Sequence, residues 1–318
     1  MSLAVKRIDG RAGFEKIVLV TRKTRLAELV ERFNTFAQAK FYIERAGGDF
    51  DEYVREDAVY WRSAETVRRA AEIGLKLQEL DRNLVPTFTF LPTDLIVVLG
   101  QDGLVANVAK YVGCQPIVGV NPDPARFDGV LLPFLPSQLP RTLERIIEQR
   151  STVKQVTLAE AHLSDGQRLL AFNDLFVGAQ SHVSARYKIR WRSSAEEQSS
   201  SGVLVSTGAG STGWISSAFN MASGIAALTG GRQIKPLRIV WEDRRLIFVV
   251  REPFVSRHSQ AGLVAGIIGA EQELQMESLM PSGGVIFSDG IEADYLQFNA
   301  GVVATLRAAK ETAHLVVG

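Results

Sequence analysis

The chain has 318 residues, 46% of them hydrophobic and 22% charged, and a net charge of +1: room for about two domains, with the composition of a globular protein. That balance argues against nucleic acid or an acidic membrane surface as a partner. A single cysteine, Cys114, excludes an intramolecular disulfide and any multi-cysteine zinc site, and no apolar run of about 18 residues suggests a membrane span.

In chain order, the opening "MSLAVKRIDG" is too short and polar for a signal-peptide core, so the chain reads as cytoplasmic. "EKIVLVT" (Glu15 to Thr21) is a β-rich run. Helical patterns follow from Leu26 to about Glu44 and from Val67 to Leu80. Then come a strand "LIVVLG", a helix "LVANVAKYVG" and a strand "QPIVGVN". Short apolar strands alternating with helices predict an α/β domain with a parallel sheet over residues 1–150. From Thr152 the texture becomes β-rich: "TVKQVTLAEA", "LAFNDLFVGA", "ARYKIRW", "GVLVST", "LRIVW", "RLIFVVREPF", "GLVAGIIG" and "GGVIFSD". One helix, "WISSAFNMASGIAAL", interrupts them. Residues 151–294 therefore predict a second, mostly antiparallel β domain. The polar run Arg192 to Ser201 reads as a mobile surface loop. The end, residues 295–318, carries helix formers and is expected to return to the first domain.

Three glycine-containing stretches carry the chemistry. "GQDG" (Gly100 to Gly103) lies at the carboxyl end of a predicted parallel strand, where ligands bind in open α/β sheets. Asp102 there shapes a turn, accepts a proton from a hydroxyl or holds a metal ion. "VLVSTGAGSTGW" (Val203 to Trp214) contains a G-x-G-x-x-G pattern, but no acid occurs between Trp214 and Trp241 to hold a ribose, so a dinucleotide fingerprint is disfavoured. Thr207, Ser211, Thr212 and Ser217 instead offer hydroxyls around a turn. "FSDGIEAD" (Phe287 to Asp294) is a further Asp-Gly, by itself most often a turn. Walker A, HExxH and GxSxG motifs are absent and the four histidines are scattered, so no metal-binding residue is assigned. Arg22, Lys23 and Arg25 read as a solvated face.

In this order, Gly100-Gln101-Asp102-Gly103, Asn173-Asp174, Thr207 to Trp214 and Asp289-Gly290 resemble the NAD kinase family. Its motifs are Gly-Gly-Asp-Gly, Asn-Glu, Thr-Pro-Thr-Gly-Ser-Thr-Ala-Tyr and a late Asp-Gly. "GVNPDP" (Gly119 to Pro124), "SSGVLVSTGAGS" and "REP" (Arg251 to Pro253) look closest to the branch with the animal mitochondrial NAD kinases. The resemblance implies an N-terminal α/β domain, a β-rich C-terminal domain and a returning final segment. It implies transfer of the ATP terminal phosphate to the ribose 2′-hydroxyl of NAD, with Mg²⁺, by a homo-oligomer, a dimer in the simplest case. It makes Asp102 the general base. It places Gly100, Gln101, Gly103, Asn121, Asn173, Asp174, Thr212, Gly213, Trp214, Ser217 and Asp289 at nucleotide-binding positions. Gln101 replaces a family glycine, and glutamine takes positive φ poorly, so a different backbone angle or an obstructed phosphate turn is expected. Leu104 replaces a threonine. Two alternatives remain: a non-catalytic nucleotide-binding regulator, and a kinase for a sugar or lipid hydroxyl.

Overall fold

The computed structural model describes residues 7–8 and 11–318. Most of the opening stretch read for a leader lies outside them. The chain divides into two compact units, Met1–Lys154 with His314–Gly318, and Gln155–Ala313.

In the first unit a two-strand ladder, β1 (Arg7–Ile8) and β2 (Arg11–Ala12), precedes β3 (Lys16–Thr21). The predicted helix from Leu26 is two helices, α1 (Arg25–Phe33) and α2 (Phe36–Arg45). Asn34, at φ 64°, ends the first, and the Thr35 hydroxyl caps the second by accepting from the Gln38 N–H. α3 (Phe50–Ala70) stops before the expected end of its pattern. Gly74, at φ 85°, turns the chain, and Lys76–Asp81 forms β4, paired in parallel with β3. The expected helix through Leu80 is thus half strand, because pairing with β3 outweighs the helical spacing of its leucines. β5 (Asp94–Leu99), α4 (Asp102–Ala109), β6 (Pro116–Val120) and α5 (Leu139–Ile147) follow. The parallel order is β4-β3-β5-β6, closed by His314 and Leu315 pairing with Pro116 and Ile117. Every residue of β5 is buried, as strands covered on both faces require. Tyr60, Ala64 and Val67 of α3 and Leu139 and Leu143 of α5 share a core with Ile17, Leu19, Leu95 and Val97.

The second unit is a β-sandwich with one helix. Its elements are β7 (Thr152–Leu163), β8 (Arg168–Ala171), β9 (Asp174–Ala179), β10 (Ala185–Trp191), β11 (Ser194–Ser200), β12 (Val203–Ser206) and α6 (Trp214–Leu228). Then come β13 (Leu246–Val250), β14 (Ala265–Ile268), β15 (Leu274–Ser278), β16 (Gly284–Ser288), β17 (Ile291–Gln297) and β18 (Val303–Val317), whose end belongs to the first unit. One antiparallel sheet runs β14-β13-β12-β9-β16-β17, and β11-β10-β15-β18 forms the other face. Val177, Val205 and Phe248 from the first meet Ile189, Met276 and Leu306 from the second in one core.

Three expectations are corrected. The run Arg192–Ser201 is mostly strand β11, in full register with β10; Gln198 and Ser200 turn inward and bond the buried Tyr187 hydroxyl. The chain end is strand rather than helix, with Ala304, Leu306 and Ala308 buried at every second position. "LRIVW" forms no strand, although Ile239 is buried.

Candidate functional site

The predicted residues fall into two sets, one in each unit. In the first unit β5 ends at Leu99 and α4 begins at Asp102. The Gly100 N–H donates to the Val120 carbonyl at 3.3 Å. A Cβ on Gly100 would lie 2.8 Å from the Leu104 Cδ2, so this glycine and Leu104 fit each other. Gln101 caps the helix through its backbone, at φ −115° and ψ 164°. That is extended backbone open to any residue, so glutamine sits there without a positive φ. Nothing lies within 4 Å of a Cβ on Gly103, leaving the backbone of the first helical turn open to an anion.

Asp102 Oδ1 accepts the Leu131 N–H at 2.6 Å; Oδ2 has no hydrogen bond among the described residues. Leu131 is a partner that sequence reasoning missed. The 121–134 loop delivers it. Gly119 lets the Leu131 carbonyl approach to where a Cβ would stand, 2.0 Å away. Asn121 is 3% exposed; its amide donates to the Phe127 carbonyl and accepts the Asp123 N–H, both at 3.0 Å. That side chain thus shapes the loop holding Leu131. Arg22 is no solvated residue: it is buried, ion-paired with Glu56 at 3.1 Å, and its Cδ lies 3.8 Å from the Gly100 Cβ position. Arg25 and Arg126 pair with Glu52 and Glu56 beside it.

In the second unit three motifs distant in sequence converge. Asp289, at φ 54°, accepts the backbone N–H groups of Phe172, Asn173 and Asp174 at 3.0, 2.6 and 3.2 Å. Its own N–H donates to the Asp174 carbonyl at 2.9 Å. The late Asp-Gly is therefore a turn and also the clamp on Asn173-Asp174. The loop after β12 closes the knot. The Thr207 N–H donates to the Asn173 carbonyl at 2.9 Å, and its hydroxyl donates to the Phe172 carbonyl at 2.6 Å. A Cβ on Gly210 would stand 2.3 Å from the Asn173 carbonyl oxygen, and one on Gly208 2.2 Å from that of Val240. Two glycines of the G-x-G-x-x-G pattern thus serve close backbone packing, in an antiparallel sheet rather than a Rossmann unit.

Asp174 is 8% exposed and its Oδ1 has no hydrogen-bond partner among the described residues. Burial pushes its carboxyl up to about 7; the Ser206 hydroxyl opposes this and the neighbouring Asp289 charge adds to it. Such a group fits a ligand that brings a donor, a ribose hydroxyl or an amino group. Thr212, Gly213, Trp214 and Ser217 are exposed at the start of α6. The Trp214 ring stacks on Phe176 at 5.7 Å and 13°, Phe176 contacts Phe287 at 4.8 Å, and the Arg251 guanidinium lies 5.3 Å from the Trp214 centroid. These side chains wall a cavity of about 410 Å³, completed by Ala179, Gln180, Ser181, His182, Val183, Ser201, Val285 and Glu292. Of its lining, only Trp214 was expected from the sequence as a nucleotide-binding residue, although Arg251 lies in the "REP" segment and Phe287 and Glu292 in "FSDGIEAD". Phe176 and Phe287 read as ordinary strand residues, because periodicity does not show which aromatics meet. A shallower hollow of about 540 Å³ at α1 and α2 contains none of the predicted residues.

Among the described residues no group of three or more His, Cys, Asp or Glu side chains is placed to hold a metal ion, and no helix is long and apolar enough to cross a membrane. No protein-family profile and no curated protein matches the sequence. Solved structures do. An NAD kinase from Archaeoglobus fulgidus, in complex with ATP, is 18% identical with a TM-score of 0.55 over 95% of this chain and 93% of that one. Yeast NADH kinase, complexed with NADH, is 16% identical with a TM-score of 0.56 over 97% of this chain and 86% of that one. The chain thus has the two-domain fold of NAD and NADH kinases: a parallel-stranded α/β part and an antiparallel β part.

Proposed function

We propose that the chain transfers the terminal phosphate of ATP to the adenosine ribose 2′-hydroxyl of NAD or NADH, giving NADP or NADPH. The observation that carries this reading is Asp102. It begins the helix at the carboxyl end of β5, is fixed through one oxygen by Leu131, and has no hydrogen bond to its other oxygen among the described residues, on a fold shared with two such kinases.

Asp102 Oδ2 takes the hydroxyl proton as the ribose oxygen bonds to the γ-phosphorus, and the β–γ bridging oxygen leaves with ADP. The open backbone at Gly103 suits phosphate oxygens. Within the second unit, and taken by itself, Asp174 suits a nucleotide's hydroxyl or amino donor and Trp214 offers a base an aromatic face. Phosphoryl transfer depends mainly on positioning and charge neutralisation, so a base of ordinary strength suffices. Mg²⁺ would enter on the ATP phosphates, as an ion bound by one or two carboxylates and retained water usually does; when bound it neutralises phosphate charge. Among the described residues no group of three or more His, Cys, Asp or Glu side chains could cage an ion, so such an ion would be held chiefly by the phosphates and water, with Asp102 Oδ2 left to the hydroxyl proton. "GVNPDP" and "REP" favour the branch with the animal mitochondrial enzymes, and the unstrained Gln101 backbone supports the catalytic reading over a non-catalytic one.

The test is NADP(H) formation from NAD or NADH with ATP and Mg²⁺, followed by a dehydrogenase specific for the phosphorylated product. Turnover is expected. ATP consumption that tracks a sugar or a diacylglycerol instead would replace the reading.

A further inference from the structure

In the parallel sheet the connection from β3 runs to β4 on one side, and that from β5 runs to β6 on the other. The strand order therefore reverses between β3 and β5, and ligands of open α/β sheets bind in the crevice outside the strand ends at such a point. The Tyr60 hydroxyl ties the two ends together: it accepts the Arg22 N–H at 3.0 Å and donates to the Leu99 carbonyl at 3.3 Å. Asp102 follows β5. Arg22 and Arg25 follow β3, and Arg126 joins them from the loop after β6. Glu52 and Glu56 of α3 hold all three: Arg22 bonds Glu56 at 3.1 Å, Arg25 bonds both acids at 3.3 Å, and Arg126 pairs with both. Three guanidiniums thus share two carboxylates, and donors outnumber acceptors. The Arg22 Nε is buried without a hydrogen bond among the described residues. Asp57, the next acid along α3, accepts the Thr24 hydroxyl instead. The side chains of Arg25 and Arg126 are 36% and 26% exposed, so the surplus opens to solvent.

We propose that Arg25 and Arg126, with Arg22 behind them, bind a polyphosphate chain, that of the phosphate donor, and that Glu52 holds their place until phosphate displaces it. The donor role rests on the kinase reading; the binding of polyphosphate does not. Phosphate oxygens supply the acceptors that the cluster lacks, and a planar guanidinium meets them two at a time. Glu52 is the partner that yields, because its side chain is 47% exposed and returns to water, whereas Glu56, at 3%, stays with Arg22. The Arg25 guanidinium lies 4.0 Å from the centroid of the Tyr53 ring, which keeps it in place while its anion changes. Phosphoryl transfer needs its charge neutralised, and these cations stand at the same edge of the sheet as Asp102.

Calorimetry of the full chain with inorganic tripolyphosphate, in EDTA, is the test, and binding is expected. Arg25→Ala and Arg126→Ala should each weaken it about 10–100-fold, whereas Arg69→Ala, at an outward arginine of α3 paired with Glu65, leaves it unchanged. Glu52→Gln removes the competing charge and should tighten binding about 2–5-fold. A cluster that only braces the fold would lower Tm in the Arg25, Arg126 and Glu52 variants and shift no phosphate affinity; that result, or a wild type that does not bind, overturns the proposal. In turnover, Arg25→Ala should raise KM for ATP and leave KM for NAD unchanged. Arg25-dependent tripolyphosphate binding in a chain that forms no NADP(H) keeps the site and fails the kinase reading. NADP(H) formation with equal tripolyphosphate affinity in the wild type and both arginine variants keeps that reading and overturns the site.

Discussion

Asp102 and Asp174 sit in different surroundings and answer to different tests. Asp174 is buried beside Asp289 with one oxygen unpartnered. Its folded pKa, about 7, lies above the 3.8 of an ordinary Asp, so folding favours the protonated form. The stabilisation is complete below about pH 4 and is lost as pH rises to about 7. Against Asp174→Asn, the wild type is expected to lose roughly 3–4 kcal/mol of unfolding free energy over that window, read by urea denaturation. Parallel curves would show that Asp174 is solvated. Nucleotide affinity should rise from about pH 6 to 8 in the wild type, as the carboxylate that accepts the ligand donor forms, and lose that rise in the variant. The glycines divide in the same way. Gly210→Ala drives a methyl against the Asn173 carbonyl and is expected to cost about 1–3 kcal/mol, seen as a lower Tm. Gly103→Ala meets open space and should keep or gain up to about 1 kcal/mol while slowing turnover, if phosphate oxygens approach that backbone. Equal losses of stability from both would contradict the assignment.

At the scale of elements, what was legible in the sequence followed local pattern, and what was not followed long-range pairing. β3, β5 and β6 were readable because a strand buried on both faces is apolar throughout. The strand–turn–helix at Gly100 to Asp102 was readable because two glycines and an acid interrupt that run. β11 was not: its serines and glutamates look like a loop, and only β10 supplies the partner that makes them a strand. β18 was not, because Ala, Leu and Lys favour helix until β15 and β6 offer edges. The site divides likewise. Asp102, Asp174, Asp289 and Trp214 stood out by motif, whereas Leu131 contributes only a backbone N–H and carries no compositional mark. The end of β18 gives an element-scale test. Leu315 and Val316 are 4% and 2% exposed, and burying such side chains is worth ~1.5–3 kcal/mol each. Ending the chain after Ala313 should lower the stability of the first unit by roughly 3–6 kcal/mol and leave the second unit unchanged, seen as two separated unfolding transitions.

For the whole molecule, the near-neutral charge and the fold of NAD and NADH kinases at 16–18% identity say that architecture persists where sequence has largely changed. At the turn after β5, Gln101 needs no positive φ, and Leu104 packs where Gly100 leaves room. The account therefore rests on Asp102 acting as a base and not as a helix cap. The most direct measurement is kcat for NADP formation from NAD, ATP and Mg²⁺ by the wild type and by Asp102→Asn, with NAD affinity measured alongside. The isosteric amide can still accept the Leu131 N–H but takes a proton poorly, so the account predicts a fall of about 10²–10⁴-fold in kcat with NAD affinity nearly unchanged. Comparable kcat in the two proteins would contradict it.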